Sequence, residues 1–522
     1  MALTINARDI LDLPKWRHEA PLLAANSAGQ SLAFDLRNNE TGCPFFYNLR
    51  SATALDFYDP TTGEWGALAS PALAGTFGAG ATSIFHPSQG PRGTLAAGGT
   101  TTSVVLSTAL PAAVAINQLA NRGDGSGYVL KISGNSAGGS GKTEYRKIIA
   151  NTAGTTPTIQ LDSALSFTPA LGDSYEIRSG RVFLLSAGTL AAGVWKYYDI
   201  ATNSYSASLA TTNLPATIGT DSSAVALSEG YTPSDRSAGE GFIGGGTTHD
   251  GALKNCIQGT AAAATTITGS GMPATLFADE YRNFQVRIVE DTVTPTAVNQ
   301  RRRISTHTGG ATGVFTVAAW AVTPSSSAKF VIENDDDKIL LTSSAGLFIY
   351  NYNITANTWD TSTWAAPVAH GAGVVMEQSF GIARDITIGG ARNSHIYRVR
   401  GGGSAAIDVL DIAGAATGSW SNDIAYGKRA QTFTTGTSGA YDPSTLGGRF
   451  LHLNINGTQR MARFDMRNRV MDAGSYLRFP MGTAVVGSRM ATSAVIDGTT
   501  KVNNLYCAVS SGTNVLSLLT PR

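Results

Sequence analysis

The sequence predicts an all-β chain, built from a repeated hairpin unit and carrying two additional β-domains. Three observations favour this class: a composition typical of turns and short strands, one hairpin pattern that recurs along the chain, and two long segments that interrupt the pattern and match each other. The length of 522 residues exceeds what a single hydrophobic core usually organises, so several domains or one large repeat array are expected.

The composition favours strands and turns over helices. Charged residues make up 14% of the chain, against about 25% in an ordinary soluble protein, and coiled coils and long surface helices depend on such residues. The 59 glycines are separated by segments dense in Thr, Ser, Ala and Val. A net charge of +1 gives no chain-wide field to attract polyphosphate, so neither general nor sequence-specific nucleic-acid binding is predicted.

The cysteines and the apolar segments exclude further classes. Cys43, Cys256 and Cys507 are odd in number and far apart, so neither a disulfide framework nor a zinc site is predicted. The first residues show no basic region followed by an apolar run, and no stretch reaches 18 uninterrupted apolar residues. We therefore expect no signal peptide, no membrane span and folding in a reducing cytoplasm.

The repeated unit is an apolar strand, a turn, a second strand ending in an aromatic residue plus Asp or Asn, and a large apolar residue six positions later. The copies are residues 54–59 with Trp65, 195–199 with Tyr205, 348–353 with Trp359, 461–465 with Met471 and, with three extra residues, 409–411 with Trp420. The short polar side chain can bond backbone groups of the following turn. The returning Trp is expected to cover the gap between adjacent sheets.

Each copy follows a partner strand, such as residues 182–185 or 450–453, so the unit is a hairpin. The pattern resembles the kelch family of β-propellers, in which a Tyr-Asp pair precedes Trp at a fixed interval in units of about 50 residues. The double glycine of that family is mostly missing, and the near match is Gly401-Gly402-Gly403. The resemblance implies a propeller of about six blades.

The last unit, residues 505–509 with 515–518, stops after two strands. The N-terminal segment around residues 31–34 is therefore expected to donate the missing strands and close the ring. An open run of unrelated hairpins is the alternative.

The regular spacing breaks twice, and the two interrupting segments match one another. Their shared anchors are residues 128–132 and 284–288, Arg146 and Arg302, 158–161 and 314–317, 167–169 and 322–324, and 175–177 and 330–332. Each segment is predicted to be a small β-domain, barrel-like or sandwich-like, that begins with a Thr-rich strand at 101–106 or 265–268. These segments look like small β-modules of tailed-bacteriophage structural proteins, and this resemblance implies a virion protein.

The motif most suggestive of chemistry is Gly-Ser-Gly-Lys-Thr at 139–143, which is similar to the end of a phosphate-binding loop. Ser136 stands where that loop requires glycine, and the following residues predict a strand instead of a helix, so nucleotide binding is not predicted. Arg122-Gly123-Asp124 matches an adhesion tripeptide, but such residues meet easily in a Gly-rich loop.

Three further groups have structural interpretations that we favour. Residues 335–337, three aspartates, are either a cation site or a solvated turn that protects a strand edge. Residues 301–303, three arginines, could meet phosphates or an acidic neighbouring subunit, but the alignment of Arg302 with Arg146 indicates a structural task for one of them. The repeat tryptophans are expected to pack between blades, and a role as sugar-stacking platforms is the less favoured interpretation. The seven histidines lack metal-ligand spacing, and the Asp-box of sialidase propellers has no good match.

The predicted domains are an N-terminal arm with the first blades (1–92), a first inserted domain (93–180), propeller (181–244), a second inserted domain (245–337) and propeller with the closing blade (338–522). No catalytic, cofactor-binding or metal-ligating residue is predicted, and no cofactor.

By resemblance, the chain is expected to be a non-enzymatic structural component of a bacteriophage particle, as a tail or neck subunit such as a nozzle or hub ring. The expected partners are copies of itself in a symmetric homo-oligomer, other virion proteins and a host surface glycan, and the expected location is the virion, assembled in the host cytoplasm. The alternatives are a capsid-decorating protein and a carbohydrate- or receptor-binding propeller (adhesin); a hydrolase or oxidase is a third class.

Overall fold

The computed structural model describes most of the chain. The described residues are 15–18, 22–23, 31–34, 46–51, 54–59, 62–68, 77, 81–86, 89–111, 114–121, 127–135, 140–186, 195–215, 218–219, 222–227, 256–272, 274, 276–333, 337–343, 346–360, 364–378, 395–425, 432–442, 450–455, 457–458, 460–466, 468–478, 489–497, 500–508 and 516–520. Within these ranges no helix has the length and apolar character needed to span a membrane.

The described residues form 37 strands and two single-turn 3₁₀ helices, so the predicted all-β class is confirmed. The helices are Gln118–Ala120 and Pro295–Ala297. The strands are β1 (Lys15–His18), β2 (Ser31–Phe34), β3 (Phe46–Ser51), β4 (Ala54–Asp59), β5 (Glu64–Ala67), β6 (Thr82–His86), β7 (Arg92–Thr94), β8 (Ser103–Val105), β9 (Val129–Ser133), β10 (Thr143–Asn151), β11 (Thr158–Leu161), β12 (Ser174–Arg178), β13 (Arg181–Leu185), β14 (Trp195–Asp199), β15 (Ser204–Tyr205), β16 (Ser223–Leu227), β17 (Ile257–Ala263), β18 (Thr266–Ser270), β19 (Gln285–Glu290), β20 (Arg301–His307), β21 (Thr312–Val317), β22 (Lys329–Glu333), β23 (Lys338–Thr342), β24 (Gly346–Asn353), β25 (Thr358–Trp359), β26 (Trp364–His370), β27 (Val375–Gln378), β28 (His395–Val399), β29 (Ile407–Asp411), β30 (Ser419–Ser421), β31 (Gly439–Asp442), β32 (Phe450–Asn454), β33 (Arg460–Asp465), β34 (Val470–Arg478), β35 (Arg489–Asp497), β36 (Thr500–Ala508) and β37 (Leu516–Thr520).

Six antiparallel sheets are each built on a path of four hydrogen-bonded strands, and sheet 3 has a fifth strand. In order, they are sheet 1 (β2-β3-β4-β5), sheet 2 (β6-β13-β14-β15), sheet 3 (β16-β23-β24-β25, with β26 also on β24), sheet 4 (β27-β28-β29-β30), sheet 5 (β31-β32-β33-β34) and sheet 6 (β35-β36-β37-β1). The strands β2, β6, β16, β27, β31 and β35 each form one end of a sheet, and each contacts the next in a cycle that returns from β35 to β2.

Buried apolar clusters join neighbouring sheets face to face. Ile84, Phe183 and Trp195 of sheet 2 belong to one core cluster with Ile339 and Trp359 of sheet 3. Similar clusters join sheets 1 and 2, sheets 3 and 4, and sheets 4 and 5. Because a sheet with two apolar faces must cover both, this stacking places the core between the sheets.

The last sheet contains the strand nearest the N terminus. β1 pairs antiparallel with β37, with Trp16 opposite Leu519 and Arg17 opposite Leu518. The sequence-based choice of residues 31–34 as the donated segment was wrong, since Ser31–Phe34 begins sheet 1. A strand at the outer edge is held by backbone hydrogen bonds, so residues 15–18 need no apolar pattern to fill this position.

The polar residue at the end of the second repeat strand accepts hydrogen bonds from the following turn, as its chemistry predicts. Four copies show this contact from a side-chain oxygen to a backbone N–H: Asp199 with Thr202 (3.2 Å), Asn353 with Ala356 (3.0 Å), Asp411 with Ala413 (2.9 Å) and Asp465 with Asn468 (3.1 Å). The turn of the repeat is therefore defined locally by one side chain.

The same turn requires a left-handed backbone two residues before the returning large residue. The residues at this position are Gly63 (φ 74°), Asn203 (φ 49°), Asn357 (φ 51°), Gly418 (φ 71°) and Arg469 (φ 57°). Glycine and asparagine tolerate this conformation, and the asparagines also accept hydrogen bonds from Tyr198 (2.8 Å) and Tyr352 (2.7 Å) through Oδ1. Arginine is the strained member of the set.

Replacing Arg469 with glycine is expected to raise the free energy of unfolding by about 0.5–1 kcal/mol, because glycine removes the left-handed strain but adds flexibility to the unfolded chain. Urea denaturation would measure the change. The control is Arg460→Gly in the same sheet, at an exposed strand residue, which is expected to destabilise. If Arg469→Gly destabilised as much as the control, the strain argument would be wrong.

The aromatic residues of the repeat pair across strands and between sheets. The ring of Tyr352 lies 5.0 Å from that of Trp359, directly opposite it in the next strand. Both rings also contact Trp195 of the neighbouring sheet, at centroid distances of 5.2 and 5.6 Å. The predicted packing role is confirmed for this copy, and the buried Trp195 and Trp359 offer no surface on which a sugar could stack.

The remaining twelve strands form two further sheets with the same strand order. The first module, β7–β12, has the order β7-β12-β9-β10-β11-β8, and the second module, β17–β22, has the equivalent order and closes into a barrel. In the first module single bridges, such as Leu95 with Leu106, link the two end strands. The Thr-rich segments are the second strand of each module, since the short β7 and the small-residue strand β17 precede them.

Equivalent arginines have equivalent contacts in the two modules. Arg146 Nε donates to the backbone oxygen of Ala164 (3.2 Å), and Arg302 Nε donates to that of Ala319 (2.9 Å). The Nη1 atom of each also donates to the backbone oxygen of the preceding residue. The predicted structural task of the aligned arginines is thus confirmed, and it belongs to Arg302 in the run 301–303.

Candidate functional site

The two modules contact each other at Gly141, which belongs to the Gly-Ser-Gly-Lys-Thr motif at 139–143. Gly141 has a φ of 71°, and its backbone oxygen accepts a hydrogen bond from the Asp291 amide at 2.5 Å. Lys142 and Glu290 form an antiparallel bridge beside it. A Cβ at position 141 would lie 1.9 Å from the Asp291 oxygen, so only glycine fits. The structure describes residues 140–143 of this motif. In this stretch, Gly141 and Lys142 form the backbone contact between the two modules.

Each module is also attached to a turn of a four-stranded sheet. Gln118 of the first module donates through Nε2 to the backbone oxygen of Ala201 in sheet 2 at 2.9 Å. Asn283 of the second module, which is buried and has a φ of 70°, donates to the backbone oxygens of Ile412 and Ala415 in sheet 4. These contacts fix both modules relative to the sheets.

A polar cleft of about 460 Å³ lies between the two modules, beside sheet 3. The first module contributes Arg92, Gly93, Lys131, Ser133, Ser174, Tyr175 and Glu176; the second contributes Gln285, Asn299, Arg301 and Arg303; sheet 3 and the residue before it contribute Thr355 and Asp337. Four cationic side chains thus face two carboxylates. Asn299 Nδ2 donates to Ser174 Oγ across the cleft at 3.3 Å, so both modules are needed to form it.

On the first-module side, Lys131 and Glu176 form a buried ion pair. Lys131 Nζ lies 3.5 Å from Glu176 Oε2, and Arg92 Nη2 lies 3.8 Å from Glu176 Oε1. Burial lowers the pKa of Lys131 to about 7, and the nearby Arg287 guanidinium adds to this effect. Burial opposes the charged form of Glu176, but Arg92, Lys131 and Arg301 outweigh it and lower its pKa.

On the second-module side, one carboxylate serves two arginines. Arg287 donates to Glu333 through Nε (2.8 Å) and Nη2 (3.0 Å), and both side chains are almost fully buried. Arg301 Nε lies 3.7 Å from the same carboxylate. Glu176 and Glu333 therefore face Lys131, Arg92, Arg287 and Arg301. The lining of this half-open cleft carries four basic side chains against two carboxylates, an arrangement suited to binding an oxyanion.

The run of arginines divides between two tasks because side chains alternate along a strand. Arg301 and Arg303 face the cleft, while Arg302 contacts backbone oxygen on the other side and lies over the Trp320 ring, with its guanidinium carbon 5.7 Å from the ring centroid. Of the three arginines at 301–303, only Arg301 and Arg303 are therefore placed to meet an anion in the cleft.

The other sequence candidates are dispersed. Arg122-Gly123-Asp124 lies outside the described residues, as do Asp335 and Asp336, while Asp337 Oδ1 accepts hydrogen bonds from the backbone and hydroxyl of Thr355. No group of three or more His, Cys, Asp or Glu in the described ranges is placed to hold a metal ion. Burial raises the pKa of the Cys256 thiol, so this cysteine is a poor nucleophile near neutral pH.

Sequence reasoning missed the cleft residues Arg92, Lys131 and Glu176 as a group. The available signal is a charge inside a mainly apolar strand, since Lys131 lies between Leu130 and Ile132 in the buried strand β9, and Glu176 stands directly opposite it in β12. Arg287 occupies the position equivalent to Lys131 in the second module. A buried charge repeated in both copies indicates a polar interior face, but not that the two faces meet.

Comparisons with known proteins add only low similarity to this all-β chain. No family model matches the sequence, and a comparison with curated proteins found no match. Among solved structures, the chain is similar to a chain of the mitotic checkpoint complex (TM-score 0.32, 10% identity, 99% of this chain and 97% of that chain covered). It is also similar to the phage phi92 endosialidase (TM-score 0.27, 9% identity, 98% and 69% covered) and to a Bacteroides thetaiotaomicron VPI-5482 protein of unknown function (TM-score 0.25, 8% identity, 84% and 99% covered). At these TM-scores we base no inference on the likenesses.

Proposed function

We propose that sheets 1 to 6 are the blades of one kelch-like, six-bladed propeller, and that the two modules are domains inserted into it at 93–180 and 245–337. The stretches 1–92, 181–244 and 338–522 then form the propeller. Support comes from the cycle of contacts among the six end strands and from the pairing of β1 with β37. In such a ring, β1 completes the last blade as its fourth strand and covers the edge that β37 would otherwise leave open.

Deleting residues 1–18 is expected to destabilise the chain by about 1–4 kcal/mol, because four cross-strand pairs of about 0.2–1 kcal/mol each are lost. Chemical denaturation would measure the loss. Deletion of residues 1–14 is the matched control, since it leaves β1 in place. Equal stability of the two truncated chains would contradict closure by β1.

We infer that the chain is a non-enzymatic structural component of a bacteriophage particle, a tail or neck subunit in a symmetric homo-oligomer that contacts other virion proteins. The observation that carries this proposal is the duplication: two modules of equal strand order are fixed to each other and to the sheets by specific hydrogen bonds. Two copies of one module on a rigid body suit repeated contacts with identical neighbours. The resemblance of the module sequences to phage structural proteins supports the assignment of this assembly to a phage particle.

Quantitative mass spectrometry of purified phage particles that encode this chain would test the role. We expect a fixed copy number per particle that matches the rotational symmetry of the ring, and we expect a low-resolution map to place the ring in the tail or neck. A chain found only in the lysate, and never in particles, would contradict the proposal.

The second candidate function is recognition of a host surface glycan, and the polar cleft favours it. A glycan-array signal lost on replacement of a cleft side chain would support this class, and a signal that survives every such replacement would count against it. Particle incorporation tests the structural role separately, because an adhesin and a ring subunit differ in copy number and position.

A further inference from the structure

We propose that the cleft between the two modules binds a small ligand that carries both an oxyanion and hydroxyl groups, such as an acidic sugar or a sugar phosphate. This site is independent of the virion role, since its geometry belongs to the two modules and to sheet 3. Its volume of about 460 Å³ falls within the range of about 300–1,000 Å³ that small-molecule sites occupy.

We infer the oxyanion of the ligand from the excess of basic over acidic side chains in the cleft. Arg92, Lys131, Arg301 and Arg303 line it, against Glu176 and Asp337. Arg303 is exposed at the cleft, so its guanidinium can approach a ligand without leaving a buried partner. Guanidinium groups bind carboxylate and phosphate oxygens through paired N–H donors.

We infer the hydroxyl groups of the ligand from the uncharged polar side chains that line the cleft. The amide side chains of Gln285 and Asn299 line the cleft, and an amide group can both donate a hydrogen bond to a ligand hydroxyl and accept one from it. The hydroxyls of Ser133, Ser174 and Thr355 also line the cleft, and Tyr175 is its aromatic member. A purely apolar ligand would leave these polar groups without water, so a hydroxylated ligand is favoured.

A small ligand fits better than a polymer. The cleft is formed where two compact modules meet, with Gly141 against Asp291 and Ser174 against Asn299 joining them. The chain as a whole has a net charge of +1, which provides no chain-wide field to attract a polyanion. An acidic peptide segment is therefore an outcome of the test and not the proposal.

Proton uptake would accompany binding. Lys131 is surrounded by Glu176 and Arg92 of its own module and by Arg287, Arg301 and Glu333 of the other, and its pKa is lowered to about 7 by burial. An anion in the cleft favours the charged ammonium. Affinity is therefore expected to increase as the pH falls from about 8 to about 6, through the pKa of Lys131.

Titration calorimetry with the full chain would test the site, using millimolar glucuronate, glucose 6-phosphate and inorganic phosphate, with glucose as the neutral comparison. We expect binding of glucuronate or glucose 6-phosphate, and none of glucose. A preference between the two distinguishes a sugar carboxylate from a sugar phosphate. Arg303→Ala is expected to weaken binding about tenfold or more.

Lys147→Ala is the matched control, because Lys147 is the residue of the first module at the position of Arg303 and does not line the cleft. It is expected to leave affinity unchanged, and both variants keep the buried ion pairs. The proposal would be overturned by binding of none of the three anions, by equal effects of the two variants, or by binding of an acidic peptide that the sugar anions cannot displace.

Discussion

Replacing Asp408 with asparagine is expected to lower the free energy of unfolding by about 3–5 kcal/mol, because it removes the carboxylate that pairs with the fully buried guanidinium of Arg398 and with the half-buried one of Arg400. Asp408 and Arg398 are fully buried, and Asp408 accepts hydrogen bonds from Arg398 Nη2 (2.6 Å) and Arg400 Nη2 (2.6 Å). The Asp423 amide also donates to it at 2.9 Å. The carboxylate is thus the centre of a network within sheet 4.

Neighbouring groups make this network intolerant of change. Arg398 also donates to the backbone oxygen of Val368 at 3.0 Å, and its guanidinium lies 4.5 Å from the centre of the Trp420 ring. Burial lowers the pKa of the adjacent His370 to about 4, so this imidazole is neutral at pH 7 and cannot replace a lost charge. Arg398 has no route to water once Asp408 is removed, and the loss is therefore large.

Asp360→Asn is the control for the Asp408 prediction. Asp360 pairs with Lys338 at 3.2 Å, but its side chain is 37% exposed. Exposed pairs contribute about 0–1 kcal/mol, so a small change is expected. Thermal and urea denaturation of both variants would measure the difference. Similar losses for the two variants would show that burial does not determine the effect.

Replacing Gly141 with alanine is expected to destabilise the chain by about 2–5 kcal/mol, through left-handed strain of about 1–2 kcal/mol and overpacking of about 1–3 kcal/mol. The new Cβ would lie 1.9 Å from the backbone oxygen of Asp291, the residue that directly follows β19, and a backbone atom cannot rotate away as a side chain could. Relief requires the two modules to separate. Hydrogen exchange at the Asp291 amide, which donates to Gly141, is expected to accelerate.

Gly271→Ala is the matched control for this second prediction. Gly271 has a φ of 75°, almost that of Gly141, but nothing lies within 4 Å of the added Cβ. This variant isolates the backbone strain of about 1–2 kcal/mol. The excess effect of Gly141→Ala then measures the contact between the modules. If both variants lost the same stability, with no change in exchange at Asp291, the modules would not depend on this contact.

Much of the fold could be predicted because the repeat is determined by local chemistry. The bond from Asp199 to the following turn and the pairing of Tyr198 with Tyr205 involve residues within seven positions of each other, so their spacing is visible in the sequence. The first strand of each sheet carries no such mark. Strand β1 was missed for a similar reason, since its position depends on a backbone partner about five hundred residues away.

The candidate site could be predicted much less well. The duplication indicates that two modules exist, and the alignment of Arg302 with Arg146 identifies one structural arginine. The cleft, however, depends on how the modules face each other, which is determined by contacts such as Gly141 with Asp291. In sequence, Gly141 resembled part of a phosphate loop, although its lack of a side chain serves close packing. The role of a charged residue buried in a single strand, such as Lys131, can be inferred only when its neighbours in space are known.

The pairing of the first strand with the last has a consequence for biosynthesis. Residues 15–18 leave the ribosome early, but their partner, residues 516–520, is translated only after the other sheets have emerged. Five sheets can form before residues 516–520 are synthesised, while the sixth must wait for them. Until then β1 lacks its partner strand and a second nascent chain could capture it, so slow translation or crowded polysomes would favour exchange of this strand between molecules.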